Sequence, residues 1–216
     1  MIAPWKFQCE NLHIQFEANF SFKSPKPALS QVLRVLPTDA AISNTFLLTI
    51  SKMRSTCFTD EDFITSHEAI LKVAITWRSA RYYFPVLAVV DAPHSIARGA
   101  LLGYMKDIGT VEMENDHSQF DWDRTKNSIT LSSTDNETEN ILLLPHLTFR
   151  NYRTPDVEVK GLSTLDIQDH TCSPTLRCTS AVVNLPFLEN FGISPITPYK
   201  LGKLSESFTL NGCNYA

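Results

Sequence analysis

Leu12, Ile14, Phe16, Ala18, Phe20 and Phe22 recur at period two, with His13, Gln15, Glu17, Asn19 and Ser21 between them. A β-strand sends alternate side chains to opposite faces, so this spacing predicts a strand with one apolar and one polar face. Ala28, Leu29, Val32, Leu33, Val35 and Leu36 then follow helical spacing and stop at Pro37, which predicts a short amphipathic helix from Pro27 to Leu36. Phe46 to Ile50 reads as strand, and Cys57 to Thr65, with Asp60, Glu61 and Asp62, as a solvated loop. Ala69, Leu71, Val73, Ile75 and Trp77 alternate against Lys72, Thr76 and Arg78, whereas Tyr82 to Val90 is apolar on both faces. These two segments are expected to pair antiparallel through Arg78-Ser79-Ala80-Arg81, the second buried on both sides. Asp91-Ala92-Pro93 opens a predicted helix from Pro93 to Leu102 that closes near Gly103.

The patterns weaken in the second half. Ile129 to Leu131, Ile141 to Phe149, Val157 to Leu162 and Leu176 to Val183 are expected strands, and Ser132 to Asn140 a polar turn. Asn184-Leu185-Pro186 to Phe191 predicts a short helix and Ser205 to Leu210 a last strand. No internal repeat is present. The expected class is α+β, with curved antiparallel sheets and a few short helices, in a single domain spanning residues 1–216.

Composition narrows the function. Hydrophobic residues make up 43% and charged residues 19% of 216, the balance of a folded chain with one sizeable core. A net charge of -4 without a concentrated basic face argues against nucleic acid and for a small molecule as partner. Glu112, Glu114, Asp116, Asp121 and Asp123 are spread out and read as a solvated face. Cys9, Cys57, Cys172, Cys178 and Cys213 are odd in number and lack C-x-x-C spacing, so reduced thiols are expected. No run reaches the roughly 18 apolar residues of a membrane span, and M-I-A-P-W-K-F-Q-C-E lacks the apolar core of a signal peptide. A soluble cytoplasmic protein is the expectation, and the sequons at Asn19 and Asn136 then carry no meaning.

Spacing sets several chemistries aside. G-x-x-x-x-G-K-[ST], G-x-G-x-x-G and G-x-S-x-G are all absent from a chain with seven glycines, which disfavours a phosphate cradle or a nucleophile elbow. His13, His67, His94, His117, His146 and His170 are scattered, none paired at metal-ligand spacing, so no metal is expected; His67 beside Glu68 is the first place to look for one.

The segment P-V-L-A-V-V-D-A-P-H-S-I-A-R-G-A-L-L-G-Y-M-K-D-I-G, from Pro85 to Gly109, holds one lysine, Lys106. It resembles the active-site segment of the acetoacetate decarboxylase family, in which an aspartate at a strand end and an I-A-x-G-R turn precede an aromatic-P-K-K sequence. P-W-K-F at Pro4 to Phe7, the stretch Ala28 to Pro37 and P-T-L-R at Pro174 to Arg177 resemble further family segments in the same order. The resemblance implies a barrel- or cone-like core of curved antiparallel sheets and no cofactor, and a homo-oligomer would fit it. It puts Lys106 at the Schiff-base position, Tyr104 at the aromatic two residues before it, and Glu68 at the spacing of an active-site glutamate. Three positions depart from the pattern: Asp107 replaces the second lysine, Met105 the proline, and Glu10 the arginine that binds the substrate carboxylate.

Each departure has a chemical consequence. An imine-forming lysine must lose its proton, and desolvation or a neighbouring cation favours that loss. An aspartate at position 107 acts in the opposite sense if it faces the site. Without the arginine clamp, acetoacetate is a poor fit and a larger, more apolar substrate of specialised metabolism is expected, with Arg98 or Arg81 as substitute cation and Arg98, Trp77, Tyr83 and Met105 as substrate-binding residues. Against this stand plain structural readings: Lys106 as a solvated loop residue, Glu68 as an edge charge, and Trp77, Tyr82, Tyr83 and Tyr104 as core aromatics. Three functions remain open. They are a Schiff-base lyase or decarboxylase at Lys106 with Glu68 as acid/base, a cyclase holding a polyene or enone in an apolar cavity without an imine, and a non-catalytic binder of a hydrophobic ligand.

Overall fold

The computed structural model describes residues 4–20, 35–56, 62–153 and 158–215. Two long hairpins begin the chain, with β1 at Trp5–Phe20, β2 at Ala41–Thr56, β3 at Phe63–Trp77 and β4 at Ala80–Val90, all antiparallel neighbours. The β3–β4 hairpin turns on Arg78 and Ser79, both at positive φ (49 and 65), the conformation that matches the right-handed twist of the strands. Helix α1 (Pro93–Leu102) follows, then the short strands β5 (Asp107–Ile108) and β6 (Val111–Met113), and the β7 (His117–Trp122) and β8 (Thr125–Thr138) hairpin. Strands β9 (Leu147–Arg153), β10 (Glu158–Cys172) and β11 (Leu176–Asn184), helix α2 (Phe187–Asn190), β12 (Ile193–Pro195) and β13 (Lys200–Tyr215) complete it.

Among the described residues all thirteen strands join one strongly curled, half-barrel sheet in the order β5-β4-β3-β2-β1-β13-β11-β8-β7-β6, with β10 and β9 branching from β13 and β12 from β1. Every pairing between these strands is antiparallel except β4 with β5. No described helix is long and apolar enough to cross a membrane.

The curl buries both faces of β1 to β3. Leu12, Ile14 and Phe16, Phe46, Leu48 and Ile50, and Leu71, Val73, Ile75 and Trp77 fill the main core with Phe120, Ile129 and Phe187 from the β7–β8 side. The alternate residues, Cys9, Asn11 and His13, Thr49, Ser51 and Met53, and Glu68, Ile70 and Lys72, line a cavity on the other face. The polar stripe that period two predicts on β1 and β3 is therefore a cavity wall: His13 and Lys72 are only 4% and 5% exposed.

Several expected boundaries move. The helix expected from Pro27 to Leu36 lies, except for its last two residues, outside the described residues, as do residues 57–61 of the expected loop; Phe63 to Thr65 already belong to β3. Ser132 to Thr138, expected as a turn, continues β8. Ile141 to His146, expected as strand, is irregular apart from a bridge between Tyr83 and His146, because Pro145 has no N–H to give a ladder. Strand β13 extends well beyond the expected Ser205 to Leu210.

Candidate active site

Helix α1 forms where expected, with Pro93 in its first turn and Gly103 at its end in the left-handed conformation, φ 83. Its buried positions Ser95, Arg98, Gly99 and Leu102 lie at helical spacing on the face turned toward the cavity. Gly103 has a second reason to be glycine, since a Cβ there would stand 2.9 Å from the Phe149 carbonyl group. From this turn the chain reverses and β5 pairs in parallel with the end of β4, Val90 against Ile108. Val90 also pairs with Glu68 on β3, so Lys106, just before β5, arrives beside Glu68.

The Lys106 side chain runs over Gly99, where an added Cβ would lie 2.8 Å from its Cδ and 2.9 Å from its Cε. Its Nζ donates to Glu68 Oε2 at 2.5 Å and to Ser95 Oγ at 3.1 Å, and stands 5.6 Å from the centre of the Tyr104 ring. Both charged side chains are nearly buried, at 7% and 11% exposure, which excludes the solvated-lysine and edge-charge readings. Asp107 points the other way. It is exposed and accepts a hydrogen bond from Trp122 Nε1 at 3.3 Å, as the alternation of side chains about a strand requires.

Tyr104 is buried and its hydroxyl bonds to His146 Nδ1. Burial, with Glu68 nearby, raises the phenol well above its ordinary range, and burial, with Lys72 and His13 nearby, holds the imidazole well below its own. The pair is thus a neutral phenol donating to a neutral imidazole. Arg98 reaches the cavity wall too, donating to Ser55 Oγ at 2.9 Å with its guanidinium 4.5 Å from the Phe7 ring centre. Tyr83 lines the far end and donates to the Leu142 carbonyl at 2.9 Å; burial pushes its phenol up to about 12.

The cavity measures about 560 Å³, with an apolar wall of Met53, Ile70, Leu102, Leu165, Phe208 and Leu210. Of the expected site residues, Lys106, Glu68, Tyr104, Arg98 and Tyr83 line it. Two expected substrate contacts do not. Met105 is 84% exposed, because the alternation that turns Lys106 inward turns its neighbour out, and Trp77 packs in the main core on the opposite face of β3. Glu10 is exposed on the outer surface beside Lys52 and Arg54, away from the cavity, and Arg81 is exposed as well.

Lys72, His13 and His146 were not among the expected site residues, yet all three line the cavity. Lys72 is completely enclosed, and burial lowers its ammonium to about 8 despite Glu68 and Glu206 nearby. His13 is held at about 3, first by burial and then by Lys72. Asn11 accepts from Ser51 Oγ at 2.6 Å and donates to Glu206 Oε1 at 2.7 Å; the other Glu206 oxygen meets His170 Nε2 at 2.9 Å. His67, next to Glu68 in sequence, faces outward and pairs with Asp91 at 2.7 Å. Among the described residues no three His, Cys, Asp or Glu side chains gather as a metal site would need.

No protein-family model matches the sequence, and no curated protein is significantly similar to it. The solved structures are decisive for the fold, which is that of the acetoacetate decarboxylase-like proteins. The enduracididine biosynthesis enzyme MppR, complexed with the condensation product of pyruvate and imidazole 4-carboxaldehyde, superposes with a TM-score of 0.73 at 13% identity, covering 100% of this chain and 90% of that one. An acetoacetate decarboxylase-like enzyme from Sphingomonas wittichii RW1 gives 0.72 at 15% identity, over 100% and 94% of the two chains. Acetoacetate decarboxylase from Legionella pneumophila gives 0.72 at 14%, over 100% and 88%. These identities make the chain a divergent representative of the fold.

Proposed function

We propose that this chain is an enzyme of specialised small-molecule metabolism that acts on a ketone or aldehyde through an imine at Lys106. The observation behind the reading is the Lys106–Glu68 contact of 2.5 Å, nearly buried on the wall of the cavity. Glu68 is within reach to take a proton from the Lys106 ammonium, which frees the amine to add to the carbonyl carbon. Loss of water from the carbinolamine leaves a protonated imine. Its nitrogen accepts the electron pair released when a bond next to the former carbonyl breaks, by decarboxylation, aldol cleavage or dehydration. Reprotonation at carbon and addition of water then release the product and restore the lysine. Ser95 holds Nζ in place, and with Asp107 turned outward Glu68 is the carboxylate in contact with the amine. That solved structures of this fold include enzymes, one with a pyruvate condensation product, supports carbonyl chemistry here.

A cyclase that folds a polyene or enone against the apolar wall, with no imine, is the second reading; the size of that wall favours it. Borohydride reduction in the presence of a carbonyl substrate, read by peptide mass spectrometry, separates the two. A reduced adduct on Lys106, absent in Lys106→Met and strongly slowed in Glu68→Gln, is the expected result. A substrate consumed with no adduct on Lys106 leaves the cyclase.

A further inference from the structure

At the far end of the cavity, Lys72 and His13 converge on one hydroxyl. Lys72 Nζ donates to Thr49 Oγ1 at 2.9 Å, and His13 Nδ1 stands 3.1 Å from the same oxygen. A hydroxyl has one proton to give, so with Lys72 donating to it, Thr49 donates to Nδ1 and the His13 proton lies on Nε2. That Nε2 is buried and meets no hydrogen-bond partner among the described residues. Lys72, only 5% exposed, has no carboxylate within ion-pair distance among the described residues. A buried ammonium that meets a hydroxyl at hydrogen-bond distance but feels Glu68 and Glu206 only from further off, and a buried N–H with no acceptor, both carry a desolvation cost that an anionic oxygen removes. Both groups belong to the cavity wall, on adjacent parts of β1, β2 and β3: His13 is registered with Thr49, and Lys72 with Leu47, one step along the same face.

We propose that Lys72, His13 and Thr49 form a carboxylate-binding end of the cavity, so that the substrate is an oxo acid whose carboxylate sits several carbons from the carbonyl presented to Lys106. The inference rests on the imine reading only for the second half of that statement. Glu68 and Lys72 are four residues apart on one face of β3, so their backbones are separated by roughly 13 Å along the strand. A carboxylate held by Lys72 is therefore offset along the strand from the carbonyl at Lys106, so the distal carboxylate is a handle and not the group that leaves. Leu47, Leu144 and Ile70 would line the intervening methylene chain. Arg98 is occupied at the Lys106 end with Ser55, the Thr56 carbonyl and Phe7, which leaves Lys72 as the cation at the other end.

The experiment compares 6-oxoheptanoate with 2-heptanone, which has a similar chain and ketone but no carboxylate. Affinity is measured by calorimetry and imine formation by borohydride trapping, in the wild-type protein and in Lys72→Met and His13→Phe. The wild type is expected to prefer the acid by about tenfold to a hundredfold, the range of a charge-assisted hydrogen bond. Lys72→Met collapses that ratio to near one, and His13→Phe cuts it severalfold, so that either variant suffices if the other does not fold. No preference in the wild type, a preference intact in both variants, or a reduced adduct on Lys72 in place of Lys106 overturns the subsite. If the preference holds and is lost in the variants while Lys106 is never trapped, the subsite stands and the imine reading alone falls.

Discussion

The position of Lys106 depends on a residue with no side chain. Because a Cβ on Gly99 would meet the Lys106 methylenes below 3 Å, Gly99→Ala is expected to push Nζ off Glu68. The helix itself gains, since Ala is favoured over Gly in a helix interior by about 1 kcal/mol. Adduct formation on Lys106 should drop about tenfold to a hundredfold, as small misplacements of a reacting group do. An unchanged trapping rate would show that the lysine reaches its substrate by another path. That Lys106 and Tyr104 share a cavity was legible because residue order in the Pro85 to Gly109 stretch resembles a known active-site segment, and Glu68 because it stands at the family's spacing before Asp91. Lys72 and His13 were not, although their positions were read correctly as the polar side of two strands. Period two reports that a face differs from the apolar core, and a polar cavity wall produces the same pattern as a solvated surface. Met105 failed for the converse reason: a neighbour in sequence points away wherever the chain is extended.

At the scale of elements, punctuation was the reliable signal. Pro93 and Gly103 bracket α1 as expected, and two residues suffice to turn β3 into β4. Gly103 is tied both to its positive φ and to the 2.9 Å approach of Phe149, so Gly103→Ala should cost more than ~1 kcal/mol by urea denaturation, well above the effect of Ala at an exposed helix site. Because Tyr104 follows directly and bonds to Gly99, the same change is expected to loosen the Tyr104–Lys106 passage. Loss of trapping beyond what the stability change explains, measured well below the unfolding midpoint, checks that coupling. Where punctuation was missing or polar, the elements were misread. Ser132 and Ser133 of β8 are exposed, so that stretch has no apolar alternation to reveal a strand that Thr and Ser nonetheless form on the sheet's outer arm. The apolar run Ile141 to Pro145 closes over the cavity with Leu144 packed near Tyr83, and apolar content alone does not distinguish such a cover from a strand.

For the whole molecule, the curl of the sheet decides the chemistry, since it turns a second strand face inward and encloses cations that a flat sheet would leave in water. No single segment encodes that curvature, which is why the barrel-like core was expected only through the family resemblance. Enclosure has a measurable consequence for stability. The His13 imidazole is held at about 3 in the folded chain against an ordinary 6.5, mainly by burial, and His146 is shifted in the same direction. A group whose folded pKa is depressed binds its proton in the unfolded chain first. Its contribution to stability is therefore complete above pH 6.5 and is lost as pH falls toward 3. Between pH 7 and pH 4.5 that loss amounts to about 3 kcal/mol for His13, at 1.36 kcal/mol per pH unit below 6.5. His13→Phe, which keeps an aromatic ring but cannot take a proton, should shed that part of the acid sensitivity. Urea unfolding of wild type and variant at the two pH values isolates it, because carboxylates elsewhere contribute equally to both proteins and cancel in the difference. If the two lose stability in parallel on acidification, His13 is hydrated in the folded state.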